Sequence, residues 1–236
     1  MNTLAFDTCF GGCSVAVAWG DRPDGTASAS VSLFEHLERG HAERLMPMIA
    51  DAMAEAPFAL ADVGRIVVTT GPGTFTGQRV GIAAARALAL TSGAEVVTLS
   101  SLAVMAHTAR AELGGDRRSA VLAIAVDARR GEIYFQAFDG VSLAALGEPA
   151  LTTPDDAAAL LAGRGSAVVA GSGAEAVAAA GRARGVDIAA SLPALQPDMR
   201  HVPLAALRSD GVPPKPLYLR PPDAKPQDGK QLARAP

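Results

Sequence analysis

At 236 residues and 49% hydrophobic composition, the chain supplies core enough for two modest domains or one large one. A net charge of −3 and a pI near 5.8 exclude a strong overall field for nucleic acid or an anionic membrane, so any RNA role needs partners. The opening residues carry neither a basic region nor a long apolar run, and no later stretch offers about 18 uninterrupted apolar residues; the chain reads as cytoplasmic. Cys9 and Cys13 are too few for a four-ligand zinc site and read as reduced, buried thiols.

In chain order, residues 4–7 predict a short strand ending in Asp7, and residues 13–19 its returning partner. Leu45, Met48, Ile49, Ala52 and Met53 recur at helical spacing and predict an amphipathic helix over 42–55, with Pro47 kinking it or marking its first turn. The β-branched run 66–70 leads into Gly71-Pro72-Gly73-Thr74-Phe75-Thr76-Gly77, a strand, glycine-rich turn and helix start. Such a turn offers backbone N–H groups to an anion or to a closely packed backbone. It is not a Walker loop, because Gln78 and Arg79 stand where Lys and Ser/Thr would be needed. The helix over 77–91 carries Gly77, Gly81, Ala85 and Ala89 four apart, a ridge that admits another backbone, and it stops at Gly93. Arg79 and Arg86 share another face with Ile82 and Leu90 and read as solvated surface in preference to partner anchors.

Ser100-Ser101 caps a predicted helix over 102–112, and Gly114-Gly115-Asp116 marks a join. The plan then repeats. Residues 121–127 end in Asp127, residues 132–138 return, a capped helix starts near Pro154, and residues 167–170 lead into Gly171-Ser172-Gly173 and an alanine-rich helix over 174–183. Two copies of one α/β unit are expected, residues 1–114 and 115–222, followed by a disordered tail over 223–236.

A metal-binding helix face needs paired ligands, but Leu45 lies four residues after His41, and His36, His107 and His201 have no acid or histidine at ligand spacing. No metal site is expected. No G-x-S-x-G nucleophile elbow occurs. Asp7 and Thr8, with Gly71, Gly73, Thr74, Thr76 and Gly77, have two readings. One is a vestigial nucleotide loop whose acid handles magnesium indirectly; the other is an Asx cap of the turn, favoured by Cys9 and Phe10 that follow. Residues 171–176 fit the weak dinucleotide pattern G-x-G-x-x-A, but no clear second strand ends at Asp187, so close helix–strand packing is preferred.

Asp7-Thr8, His41-Ala42-Glu43-Arg44-Leu45-Met46-Pro47, the glycine turn through Gly81, Asp127 to Tyr134, and Pro216-Leu217-Tyr218-Leu219-Arg220 together resemble the bacterial TsaB family over nearly the whole chain. The resemblance implies a duplicated actin-like α/β fold of the acetate-kinase and sugar-kinase superfamily. It also implies a non-catalytic subunit that pairs with the similar protein TsaD and, with the ATPase TsaE, serves threonylcarbamoyl transfer to the adenosine beside the anticodon of tRNAs reading codons that begin with A. ATP and metal would then sit on partner subunits, tRNA would be met through the complex, and no membrane is involved. TsaD holds its metal with an H-x-x-x-H helix, of which only His41 remains here. The family's interface with TsaD, and its homodimer when TsaD is absent, implies contacts from His41, Arg44, Leu45, Met48, Ile49 and Met53 on one helix. The other helix would contribute Arg79, Gly81, Ile82, Ala85 and Arg86, so that Gly81→Arg would wedge the pair apart. The family's old glycoprotease label finds neither a metal pair nor a nucleophile here. Cys9 stands where the family usually has serine, and Gln78 where an aliphatic residue is common. The rival reading is an independent ATP-dependent phosphotransferase or ATPase of the same fold, with a dinucleotide oxidoreductase far behind.

Overall fold

The computed structural model describes residues 1–21, 27–114 and 119–220; the tail expected over 223–236 lies outside them. β1 (Thr3–Asp7), β2 (Gly12–Asp21) and β3 (Ala27–His36) form an antiparallel meander. α1 (His41–Ala54) returns the chain to β4 (Arg65–Thr69), parallel to β1, and α2 (Phe75–Ser92) to β5 (Glu95–Leu99), parallel to β4. α3 (Ser101–Leu113) closes this half. The second half repeats the sequence of β6 (Val121–Asp127), β7 (Ile133–Asp139), β8 (Ala150–Thr152), α4 (Pro154–Leu161), β9 (Ala167–Ala170), α5 (Ala174–Ala183) and β10 (Ile188–Ser191). The sheet orders, β3-β2-β1-β4-β5 and β10-β9-β6-β7-β8, are one order read from opposite edges. The duplicated α/β plan expected from the repeat is therefore present, in the actin-like arrangement that the family resemblance implies.

Local chemistry sets the element ends. The hydroxyls of Thr74, Ser100 and Thr153 accept hydrogen bonds from the N–H groups of Gly77, Ala103 and Asp156, capping α2, α3 and α4. Gly93, at φ 72°, takes the left-handed conformation that ends α2. Pro47 lies well inside α1 instead of in its first turn. Four strands escaped sequence reading, among them β5, whose five residues lie between the end of α2 and the cap of α3. β3 is an edge strand whose alternating Ala and Ser residues leave it weakly patterned, and β8 and β10 span three and four residues. β10 starts directly after Asp187, so no strand ends at that acid as the dinucleotide pattern would need.

The first sheet is two-sided. Leu4, Phe6, Val15, Val17, Ile66 and Val68 face α1 and α2, while the smaller Ala5 and Ala16 face inward with Val67. Burial of each large side chain stabilises the fold by about 1.5–3 kcal/mol. α3 lies between the halves: Leu102, Met105, Ala106 and Ala109 pack on Leu122, Ile124 and Val126 of β6, and Val104 packs against the first sheet. After β10 the chain comes back, placing Met199, Val202 and Leu204 on the first sheet's inner face. The buried Arg65 fixes this return, its Nη1 donating to the Leu204 carbonyl (3.2 Å) and its Nε to Glu95 (2.6 Å).

Candidate functional site

The β1–β2 turn and the glycine turn before α2 interlock. The buried Asp7 accepts hydrogen bonds from the Cys9 N–H (3.1 Å) and the Thr69 hydroxyl (2.6 Å), which is the geometry of an Asx turn. Thr8 Oγ1 donates to the Gly77 carbonyl (2.7 Å), and the Thr74 N–H donates to the Cys9 carbonyl (2.7 Å). A Cβ at Gly73 would overlap the Cys9 carbonyl, and one at Gly77 the Thr8 carbonyl, so glycine is required for backbone to meet backbone. The two unusual residues fit here: the Cys9 thiol donates to Thr69 Oγ1 (3.3 Å), and the buried Gln78 donates Nε2 to the Gly73 carbonyl (3.0 Å). Thr76 is exposed. Gly71 is held from behind, its carbonyl accepting from the Ser101 N–H (2.9 Å).

Burial dominates the electrostatics. Desolvation raises the Asp7 carboxyl to about 6 against the hydrogen bonds from Thr69 and Cys9 that favour its charged form. Desolvation and the neighbouring Asp7 charge push the Cys9 thiol up, and the same two causes lift Cys13 to about 12. Both cysteines are free, buried and protonated, which suits packing and not nucleophilic chemistry. Phe10, at the tip of the turn, reaches across to the second half, its ring 6.3 Å from that of Tyr134.

The matching place in the second half is built differently. Asp127 is exposed and accepts from the Arg129 N–H (2.8 Å), and its own N–H donates to Ser172 Oγ (3.0 Å). Arg129, Arg130 and Gly131 all have positive φ. Gly171 and Gly173 pack against Ala125, the Gly173 N–H donating to its carbonyl (2.9 Å), which is the helix–strand packing preferred over a dinucleotide site. Among the described residues, no group of three or more His, Cys, Asp or Glu side chains is placed to hold a metal ion. Nor is any helix long and apolar enough to cross a membrane.

The residues expected at a partner interface are mostly turned inward. Leu45, Met48, Ile49 and Ala85 belong to the first core, Met53 packs on its margin, and Ile82 is buried. Their helical stripe is the core-facing side of an amphipathic helix, which periodicity cannot tell from a docking face. His41 opens α1, buried, with its Nε2 meeting no hydrogen-bond partner among the described residues. Arg44 bridges Glu35 (2.6 Å) and Asp51 (3.2 Å). Gly81 faces this chain's own Thr8, so Gly81→Arg would disrupt the fold before it could report on any partner.

Arg79 and Arg86 are not simply solvated. Arg79 Nε donates to the Tyr218 hydroxyl (2.8 Å) and Arg86 to the Pro214 carbonyl. They anchor a strap over residues 209–220, of which the sequence analysis used only Pro216–Arg220, as part of the family resemblance. Ser209 Oγ ties it to Val96 (2.7 Å), the Leu217 N–H to the Thr70 carbonyl (2.7 Å), and Arg220 to the Ala128 carbonyl and Glu132 (each 2.6 Å). The hydrogen-bonding residues between the prolines were the available signal.

Residues 35–196 match the family model described as TsaD: tRNA N6-adenosine threonylcarbamoyltransferase. The tRNA threonylcarbamoyladenosine biosynthesis protein TsaB of Escherichia coli (strain K12) is 40% identical over 135 residues, 57% of this chain and 54% of that protein. The protein of the same name from Haemophilus influenzae is 33% identical, covering 57% and 52%. The matched part spans about half the length of these curated relatives. A solved structure of YeaZ from Pseudomonas aeruginosa superposes with a TM-score of 0.75 at 29% identity, covering 92% of this chain and 99% of that one. The chain therefore belongs to the TsaD family, and curated relatives 33% and 40% identical to it carry the name TsaB.

Proposed function

We propose that the chain is a non-catalytic scaffold subunit that pairs with TsaD, and works with TsaE, in threonylcarbamoyl transfer to the adenosine beside the anticodon of tRNAs reading codons that begin with A. The observation that carries this reading is the filled turn. Asp7 is committed to Cys9 and Thr69, and the glycine turn to Thr8 and Cys9, so groups that phosphoryl transfer would aim at phosphate and magnesium are used inside the fold. The reaction itself is suggested by the name the curated relatives carry. ATP and metal then act on the partner subunits, tRNA is met through the complex, and the work is cytoplasmic.

The docking face under this reading is the outer side of α1 and α2. Met46 (46% exposed) and Leu90 (88% exposed) stand there among the exposed Ala50, Ala83 and Ala87, small residues that permit close helix crossing. The same face serves a homodimer when TsaD is absent. Size-exclusion chromatography with light scattering on the chain mixed with its cognate TsaD tests this. A one-to-one complex that forms at the expense of the homodimer and weakens at least tenfold in Leu90→Glu is expected; two unaltered peaks overturn it. Metal-dependent ATP turnover by the isolated chain, lost in Asp7→Ala, would favour the phosphotransferase or ATPase instead.

A further inference from the structure

The strap gathers charge unevenly. In a chain with 24 acids against 21 Lys and Arg residues, Arg79 and Arg86 bind the strap, Lys215 and Arg220 lie in it, and Arg129 and Arg130 sit in the β6–β7 turn that Arg220 holds. Against these cations stand three acids, Asp210 in the strap and Asp127 and Glu132 at the turn, and Glu132 is engaged by Arg220. Beside this cluster are two aromatic rings that solvent reaches, Phe75 (50% exposed) and Tyr218 (41% exposed). Their planes are within 22° of parallel and their centroids 5.3 Å apart.

Arg79 makes these rings rigid. Its guanidinium lies 3.6 Å from the Phe75 centroid and 5.9 Å from that of Tyr218, while its Nε holds the Tyr218 hydroxyl. With the rings 5.3 Å apart, these distances bring the guanidinium and Tyr218 onto Phe75 from roughly perpendicular directions. The cation and the stacked Tyr218 ring thus each cover part of Phe75, and the portions of both rings that solvent still reaches are held in place. Next to it runs a groove of about 430 Å³ between α2 and the strap, lined by Arg79, Ile82, Ala83, Arg86, Pro216 and Tyr218. Its volume suits one nucleotide. The β6–β7 turn adds the exposed Arg129 and Arg130, at φ 67° and 59°, a conformation that bulky residues adopt at a cost and that often marks a functional segment.

We infer that this surface binds single-stranded RNA, one unpaired base stacking on the Phe75–Tyr218 rings and flanking phosphates meeting the arginines of α2 and of the β6–β7 turn. Exposed planar rings beside cations in a nucleotide-sized groove suit an unstacked base, whereas a duplex offers no free base face. The inference rests on the reading that the chain serves tRNA modification. It assigns the chain an RNA contact of its own, confined to one patch of a protein whose overall field is weak.

The test is fluorescence anisotropy of the full chain with a labelled 17-nucleotide RNA hairpin bearing a seven-nucleotide loop, compared with a blunt RNA duplex of equal length. The hairpin is expected to bind and the duplex to bind at least tenfold more weakly. Phe75→Ala should weaken hairpin binding by between about fivefold and a hundredfold. The double variant Arg129→Asn/Arg130→Asn, which suits the left-handed backbone and so preserves the fold, should make the salt dependence shallower by one to two phosphate contacts. Equal binding of hairpin and duplex, no effect of Phe75→Ala, or displacement of the hairpin by micromolar AMP would each overturn the inference. TsaD pairing measured on the same samples separates the two proposals. Wild-type chain that pairs with TsaD but ignores the hairpin sinks this inference alone, and Phe75→Ala that keeps TsaD pairing while losing RNA supports it.

Discussion

The two halves share strand order, yet their paired turns are finished in opposite ways. Asp7 and Asp127 both end the first strand of a repeat and both close an Asx turn, through Cys9 and Arg129 respectively. In the first half the acid is sealed beneath the glycine turn. In the second it stays exposed beside a left-handed Arg129-Arg130-Gly131 turn held by the strap. One topology thus yields a packed plug in one place and an exposed basic corner in the other. The difference lies in what packs on the turn and not in the repeat.

The largest expected effect follows from that packing. Gly77→Ala would push a Cβ into the Thr8 backbone carbonyl, which has no rotamer by which to escape, and should remove about 4 kcal/mol or more of stability in urea denaturation. At the second half's glycine turn, Gly173→Ala meets chiefly the Ile133 methyl at 2.9 Å and should cost only about 1–2 kcal/mol. Equal losses would break the contrast between the halves.

Next comes pH. Asp7 is raised from 3.8 to about 6 in the folded state, so its favourable contribution is complete below about pH 3.8 and is lost as pH rises through about 6. The shift corresponds to roughly 3 kcal/mol. Asp7→Asn should remove this fall in stability when midpoints are followed from pH 4 to 8, while Asp127→Asn should leave it in place. A wild-type profile without the fall would mean that Asp7 is not sealed.

Smaller effects sharpen the comparison at the helix starts and in the basic turn. Thr74→Ala and Thr153→Ala each remove a hydroxyl cap and should cost about 1 kcal/mol, measurable as a lowered Tm. Arg130→Gly should raise stability by about 0.5–1 kcal/mol, because glycine occupies a positive φ without steric cost. A destabilised Arg130→Gly would show that the arginine's contacts outweigh its backbone strain.

Much of the fold was legible because it is written in local chemistry. Alternating or continuous apolar strands, Thr and Ser caps, Gly93 and the recurrence of an acid after each first strand marked the repeat. The edge strand β3 was hidden because Ala and Ser side chains at a sheet margin carry little hydrophobic signal, and β10 because four residues are too few to set a period. The site was half legible. Asp7 and the glycine turn were singled out, but periodicity marked Leu45, Met48 and Ile49 as apolar without saying whether a partner or this chain's own sheet would cover them.

Residue order alone established the duplicated α/β plan, the unsuitability of the glycine turn for Walker-type phosphate binding, and the lack of a paired histidine after His41, because each depends on spacing within one segment. Long-range packing settled the rest. It buried Asp7 under Thr69, set Gly77 and Gly81 against Thr8, bridged the halves with Phe10 and Tyr134, and drew a proline-rich ending across α2 to the β6–β7 turn. Each of those contacts joins residues from about 60 to nearly 140 positions apart, a distance over which local propensity carries no information.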